Sequence, residues 1–219
     1  MRINPDKQSC NRKRVYSDKR RDTKYNFISF YNQYRLIVDT NPKTILEIGV
    51  GTGALSAYLK CRGFKTTTCD FDKRLNPDFV QDVRDIKKIK TNSFDTVVAF
   101  EVLEHIPFSD LDKALQELRR ITKKNVIISI PYNTINIGGS LKILPFIKPL
   151  QFMIRLCELF FCEHKFNGIH YWEMGMKDFS KKKITKKLQE NGFSIINTFY
   201  DVLNPVHYFF VLQTMENKK

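Results

Sequence analysis

The feature that most constrains the fold is an apolar stretch that runs directly into three alternating glycines, over Thr44–Gly53. Glycine has no Cβ, so Gly49 and Gly51 allow the backbone to turn sharply and to approach a ligand closely. The pattern predicts a buried strand that ends at a binding loop, the first unit of an alternating α/β chain. The glycines alone fit several nucleotide cofactors, because Gly49, Gly51 and Ala54 also satisfy the dinucleotide fingerprint.

Glu47 separates these alternatives, since it lies two positions before the first glycine. A carboxylate at the mouth of this loop repels a pyrophosphate. It suits a cofactor whose nearby end carries an ammonium and a sulfonium group. The sequence therefore favours S-adenosylmethionine over a nicotinamide nucleotide.

Four further segments follow the loop in the order expected of alternating strands and helices. Cys69–Phe71 closes a second strand, Gln81–Val83 follows a third, Phe94–Val98 opens a fourth and Val126–Pro131 is a fifth. Over roughly residues 43–214 the chain resembles the class I S-adenosylmethionine-dependent methyltransferases, whose first motif is E/D-x-G-x-G-x-G. The resemblance implies an α/β fold: a Rossmann-like, doubly wound, mostly parallel seven-stranded sheet with a terminal antiparallel hairpin and helices on both faces.

The same resemblance implies roles at the cofactor site. The glycine loop contacts the methionyl part, Asp70 holds the ribose hydroxyls, Asp82 and Val83 meet the adenine, and Glu101 lines the site beside the methionyl group. The predicted cofactor residues are Glu47, Gly49, Gly51, Gly53, Asp70, Phe71, Asp82, Val83 and Glu101.

The end of the chain predicts a hairpin, with no room for a crossover helix. Two aromatic-rich runs, Phe193–Leu203 and Val206–Gln213, flank Asn204 and Pro205, which we expect to form the turn. Among families with this type of sheet, a final antiparallel strand is typical of the methyltransferases and not of dinucleotide dehydrogenases.

Composition predicts one domain with a basic arm. The chain has 219 residues and a formal charge of +14. Residues 1–24 form the arm, with nine basic and three acidic residues, and residues 25–219 form the methyltransferase domain. The charge indicates an anionic substrate, RNA or a membrane surface as partner, or a solvated lysine-rich surface.

The cysteines and the hydropathy pattern predict the compartment. The five cysteines are odd in number and include no C-x-x-C pair, which argues against a disulfide framework and against a zinc site. We therefore expect a cytoplasmic protein with no obligatory metal, and we leave a peripheral membrane location open. No secretory signal or membrane-spanning run is expected.

An insert over residues 133–176 is expected to set substrate choice. Within it, Leu141–Cys162 is apolar but carries basic residues and prolines. It predicts either a segment that lies on a membrane surface or lines a greasy substrate pocket, or a lid helix buried on the sheet.

Candidate acid–base residues follow from the chemistry of methyl transfer, which needs a base only when the acceptor is a hydroxyl or a protonated amine. His105, in the loop after strand four, and His170 are the candidate catalytic residues, although each also fits a structural role. Trp172 and Glu173 are predicted either to line the acceptor pocket or to be structural, with Trp172 sealing the core and Glu173 bonding the backbone. Tyr31 is a further candidate for the pocket, from an amphipathic helix over residues 25–39 that either packs beside the first strand or caps the site. His207 is interpreted as structural.

The sequence leaves several functional hypotheses. The first is a methyltransferase acting on an oxygen or nitrogen of a small-molecule or envelope-precursor acceptor. The second is an RNA (tRNA or rRNA) methyltransferase that uses the basic arm. The third is a regulatory protein that binds the cofactor without turnover, and an NAD-linked oxidoreductase is a distant fourth.

Overall fold

The computed structural model describes residues 23–144, 146 and 148–215, so the predicted basic arm falls outside it except for its last two residues. The helices of the described chain are α1 (Lys24–Asp39), α2 (Ala54–Cys61), α3 (Leu111–Ile121) and α4 (Lys181–Glu190). The strands are β1 (Thr44–Ile48), β2 (Lys65–Asp70), β3 (Phe79–Val80), β4 (Phe94–Phe100), β5 (Thr122–Pro131), β6 (Thr134–Leu141), β7 (Leu150–Glu158), β8 (Phe193–Asp201) and β9 (Asn204–Thr214).

Seven strands form one sheet in the order β3-β2-β1-β4-β5-β9-β8. Strands β1 to β5 run parallel, and β9 lies antiparallel between β5 and β8. Helices α1 and α2 cover one face and α3 and α4 the other, because their apolar residues belong to two separate core clusters. The predicted fold class is confirmed.

The terminal hairpin turns earlier than predicted, at residues 202–203. The Asp201 carboxylate accepts a hydrogen bond from the Leu203 N–H at 2.8 Å, which closes a tight turn. Asn204 is buried and donates to the Tyr25 carbonyl at 3.0 Å, so it already belongs to β9. The prediction of a turn at Asn204 and Pro205 was therefore wrong by two residues.

The insert contains a two-stranded antiparallel hairpin, β6–β7, that is separate from the main sheet. The alternative of a lid helix was wrong, because β7 pairs with β6 as an antiparallel strand, from Thr134 opposite Glu158 to Leu141 opposite Leu150. Arg155 fixes this hairpin to the domain. Its guanidinium lies over the rings of Tyr132 and Tyr200, at 4.6 and 4.3 Å from their centroids, and donates to the Pro205 carbonyl at 2.8 Å.

Within the described residues, no helix has the length and apolar character needed to cross a membrane.

Candidate cofactor and acceptor site

The glycine loop lies between the carboxyl end of β1 and the start of α2. Gly49, Gly51 and Gly53 have φ angles of +83°, +55° and +76°, which side chains with a Cβ rarely adopt. A Cβ on Gly49 would overlap the side chain of Val102, so the loop after β4 packs directly against the first glycine. The predicted close approach of this loop to a ligand stays a prediction.

Asp70, the last residue of β2, contacts the backbone of the glycine loop. Its carboxylate accepts the Val50 N–H at 2.9 Å and the Asp72 N–H at 2.8 Å, and the residue is only 5% exposed. The predicted contact of Asp70 with the ribose hydroxyls stays a prediction. Phe71, beside it, is 38% exposed.

Glu47 is buried at the end of β1, with 5% of its surface exposed. Burial raises the pKa of its carboxyl to about 8, although hydrogen bonding by Ser56 opposes part of that rise. Its Oε2 atom has no hydrogen-bond partner among the described residues. A buried carboxylate oxygen without a partner is costly, and a cationic ligand group would satisfy it.

The residues predicted for the adenine lie after β3. Asp82 forms an ion pair with Arg84 at 2.7 Å, and Arg84 also reaches Asp110 at 3.0 Å. Val83 is 6% exposed and belongs to the core. Asp82 and Val83 therefore lie near the carboxyl end of the sheet, and the Asp82 carboxylate is already paired with Arg84. The contact of these two residues with the adenine stays a prediction.

Glu101 ends β4 in a left-handed conformation, with φ of +53°. Ser129 donates to its Oε1 at 2.7 Å, and His207 Nε2 lies 3.8 Å from its Oε2. His207 in turn contacts the Ser29 hydroxyl of α1 through Nδ1, at 2.7 Å. The structure thus brings His207, interpreted as structural from the sequence, beside a predicted site residue.

His207 was not placed at the site from the sequence, because the direction of β9 was not used. Because β9 is antiparallel to β5, its first residues lie at the carboxyl edge of the parallel strands, and His207 pairs with Pro131. A histidine near the start of such a strand is placed at the site by topology alone.

His105 and His170 come together, with ring centroids 4.9 Å apart. His170 Nδ1 lies 2.6 Å from the Glu173 carboxylate, which also accepts a hydrogen bond from Asn133. That contact with His170 is the main reason the pKa of Glu173 lies below its usual value. The fully buried Glu104 lies 3.9 Å from both imidazoles.

The two aromatic residues predicted to line the acceptor pocket, Trp172 and Tyr31, have different surroundings. Trp172 is 0% exposed, packs edge-on against Phe108 and donates to the Ile106 carbonyl at 3.1 Å. Tyr31 is 60% exposed on α1, and it is Ser29 of this helix that contacts His207. Contact of either ring with an acceptor stays a prediction.

Comparisons with known proteins agree with this geometry. Residues 46–130 match the family model described as a methyltransferase domain. No curated protein matches the chain.

Solved structures share the fold at low sequence identity. An S-adenosylmethionine-dependent methyltransferase from Clostridium acetobutylicum is 14% identical, with a TM-score of 0.59 over 93% of this chain and 97% of that one. The N-methyltransferase NodS from Bradyrhizobium japonicum, in complex with S-adenosylhomocysteine, is 10% identical, with a TM-score of 0.63 over 95% and 99%. Magnesium protoporphyrin IX methyltransferase from Synechocystis, with bound S-adenosylmethionine, is 17% identical, with a TM-score of 0.54 over 87% and 80%.

The sheet order, the glycine loop and the matched domain define a methyl-transferring enzyme with a Rossmann-like fold. The chain carries a methyltransferase domain over residues 46–130 and has the fold of solved S-adenosylmethionine-dependent methyltransferases. The site fits the cofactor of that family, because it offers a backbone cradle, a buried acid with an open oxygen at Glu47, and a second acid at Asp70.

Proposed function

We propose that this protein transfers a methyl group to an oxygen or nitrogen of a small-molecule acceptor that enters at the carboxyl edge of the sheet. The observation that carries the proposal is the pairing of His207 with Glu101, next to the glycine loop. Two solved relatives of the same fold, NodS and the protoporphyrin enzyme, are methyltransferases by name, and the second is named for a small-molecule acceptor.

The bound cofactor supplies a methyl group on a positively charged sulfur. The residues of this chain hold the acceptor, exclude water and take up the proton that an oxygen or nitrogen acceptor loses. Methyl transfer would form a bond between the acceptor atom and the methyl carbon and would leave the electron pair of the broken carbon–sulfur bond on sulfur. His207 suits the role of proton acceptor, because its Nε2 lies 3.8 Å from Glu101 Oε2 and its Nδ1 contacts the Ser29 hydroxyl, which orients the ring.

A test of this proposal uses the full chain and a panel of small hydroxyl and amine acceptors, with release of S-adenosylhomocysteine as the readout. We expect His207→Gln to lower turnover by about 10²–10⁴-fold, the usual contribution of a positioned base, while cofactor binding measured by calorimetry stays within twofold. Cofactor binding without methylation of any panel member or of RNA would instead support a regulatory protein.

RNA is the alternative acceptor, and its binding has a distinct signature. Phosphate contacts would make the affinity fall steeply with salt and would depend on the basic arm, residues 1–24. Methylation of a small acceptor that persists at high salt and after removal of the arm would support the present proposal. Methyl transfer confined to RNA would refute it.

A second proposal concerns where the protein meets its acceptor. We infer that the β6–β7 hairpin docks on an anionic membrane surface, because one face of it is apolar and open. Cross-strand partners Ile137 and Ile154, and Leu141 and Leu150, stand on that face with Phe152. Their side chains are 47–65% exposed.

The connection between the two strands extends this surface and carries the charge that favours anionic lipid. Ile143 and Phe146 are 78% and 84% exposed. Lys142 and Lys148 flank them, and the whole chain carries +14. Lysines beside an apolar tip contribute roughly 1 kcal/mol each to binding at an anionic leaflet.

Vesicle co-sedimentation distinguishes the possible occupants of this surface. We expect binding to vesicles that contain phosphatidylglycerol, weak binding to pure phosphatidylcholine, and loss of binding in Phe146→Ser. Ile196→Ser is the matched control, since Ile196 is 58% exposed on β8, away from the hairpin. Self-association in solution that Phe146→Ser abolishes, without vesicle binding by the unmodified chain, would identify a second copy as the occupant and refute the membrane proposal.

A further inference from the structure

Three potential metal ligands converge at the carboxyl edge of the sheet. Glu104, His105 and His170 each offer one ligand atom, and these atoms lie within 4.8 Å of one another. Glu104 Oε1 is 3.9 Å from Nε2 of both histidines. The carboxylate is fully buried, while the histidine side chains are 18% and 24% exposed. The three ligands are therefore shielded from solvent on the Glu104 side and accessible to solvent on the side of the two histidines.

The other nitrogen of each imidazole is already engaged. His105 Nδ1 lies 3.0 Å from the Ile169 carbonyl oxygen, and His170 Nδ1 lies 2.6 Å from the Glu173 carboxylate. Both partners accept hydrogen bonds, so the Nδ1 atoms carry the protons and a neutral ring presents an Nε2 lone pair toward Glu104. Metal-binding histidines are held in this way, with the second nitrogen donating to a carbonyl or a carboxylate.

The spacing suits an intervening atom better than a direct hydrogen bond. The Nε2–Oε1 distances of 3.9 Å exceed the range of an N–H···O bond. Ligand atoms bonded at about 2.0–2.2 Å to a tetrahedral cation lie about 3.4 Å apart. A closure of roughly half an ångström would bring each Nε2 to this distance from Oε1, and the two Nε2 atoms, which lie within 4.8 Å of each other, would close by up to about 1.4 Å.

Backbone contacts hold the two segments that carry these ligands. The Tyr171 N–H donates to the Glu104 carbonyl at 2.8 Å, and the buried Trp172 indole donates to the Ile106 carbonyl at 3.1 Å. Asn167 accepts the His170 N–H at 2.8 Å. These contacts hold the two segments close together before any cation arrives, which lowers the cost of binding.

We propose that Glu104, His105 and His170 form a binding site for a divalent transition-metal ion of the zinc class. Two imidazoles and one carboxylate suit zinc, iron, cobalt or manganese, whereas magnesium and calcium prefer oxygen ligands alone. No metal was predicted from the sequence, because 64 residues separate the two histidines and no local motif joins them.

Three protein ligands leave a coordination position open, as in catalytic rather than structural sites. That position suits an oxygen or nitrogen of the methyl acceptor, a role that rests on the proposed function. His105 and His170 then act as ligands, and proton uptake is left to His207. Metal binding itself does not depend on the methyl transfer.

The experiment titrates Zn²⁺ into the untagged full chain after dialysis against a chelator, by calorimetry and elemental analysis, without cofactor or acceptor. We expect one equivalent bound by the unmodified chain and by the control His207→Gln, and none by His170→Gln or Glu104→Gln. With Co²⁺ as probe, we expect visible absorption without a thiolate charge-transfer band, which separates this site from the exposed Cys61 and Cys157.

Glu173→Gln provides a variant that keeps all three ligands. Loss of a partner that orients a ligand weakens metal affinity by about 10–100-fold, so we expect that loss with the stoichiometry unchanged at one. Circular dichroism checks that each variant is folded. Absence of Zn²⁺ and Co²⁺ binding by the folded, unmodified chain, or binding that survives both ligand substitutions, would overturn the proposal. Either result leaves the proposed methyl transfer intact.

Discussion

Glu47→Gln tests the electrostatics of the glycine loop, because it removes a buried ionisable group and keeps its shape. The pKa of Glu47 is raised from 4.5 to about 8 by burial. Between these two values the folded protein keeps a proton that the unfolded chain has released. The free energy of unfolding therefore falls as the pH rises through this window, by at most about 1.4 kcal/mol per pH unit.

The magnitude follows from the same two values. Between pH 5.5 and pH 8, a shift from 4.5 to about 8 lowers the contribution of this group by about 3 kcal/mol. Glu47→Gln lacks the titration, so the stability of the unmodified chain, relative to the variant, should drop by that amount. Urea denaturation of both proteins without cofactor, at the two pH values, measures the difference. Equal pH dependence of the two proteins would refute the reasoning.

Cofactor binding should reverse the protonation of Glu47. A cationic ligand group favours the carboxylate, so binding below pH 8 should release up to one proton, and the affinity should rise with pH toward about 8. Calorimetry at pH 7 in two buffers of different ionisation enthalpy counts the proton. Glu47→Gln should release none, and proton release of equal size in both proteins would assign it to another group.

Other substitutions test the loops and the hairpin. Gly49→Ala should destabilise by about 1–2 kcal/mol for its left-handed φ plus about 1–3 kcal/mol for overlap with Val102. Gly63 has a φ of +86° and no atom within 4 Å of the position that a Cβ would take, so Gly63→Ala should show only the cost of the left-handed φ. Val102→Ala removes the overlap and should partly restore the thermal stability of Gly49→Ala. Arg155→Gln should cost about 2 kcal/mol and increase hydrogen exchange in β6–β7, because its desolvated guanidinium stacks on tyrosine rings; Arg35→Gln, at the surface over a single ring, should cost under about 1 kcal/mol. Comparable losses in these two arginine variants would contradict the anchoring role.

The parts of the fold that depend on local pattern were predictable. The glycines of the first loop, the order of the strands and the terminal hairpin each follow from short-range periodicity and turn chemistry. The hairpin in the insert was not decided by pattern, since a short apolar run fits a helix or a strand until its pairing partner is known. Its two-residue period is visible from Leu150 to Leu156, but pairing across the connection decided the outcome.

The parts of the site that depend on long-range contact were not predictable from one sequence. His105 was a candidate, yet nothing local indicates that the His170 ring lies with its centroid 4.9 Å from that of His105. Glu104 was not singled out, because its burial beside both imidazoles follows from the packing of residues 169–172 over the loop after β4. Composition and residue spacing do not indicate that Glu104, His105 and His170 lie close together.

The inverted last strand explains why the site is assembled from distant residues. Five parallel strands bring their carboxyl ends to one edge, which supplies Glu47, Asp70 and Glu101. A sixth parallel strand would begin at the opposite edge, whereas β9 begins at this one and delivers His207 within 3.8 Å of Glu101. The antiparallel strand therefore contributes an imidazole to the carboxyl edge of the sheet that no parallel strand could place there from its first residues. The same inversion brings the Pro205 carbonyl to Arg155, so the direction of β9 positions both the candidate base and the β6–β7 hairpin.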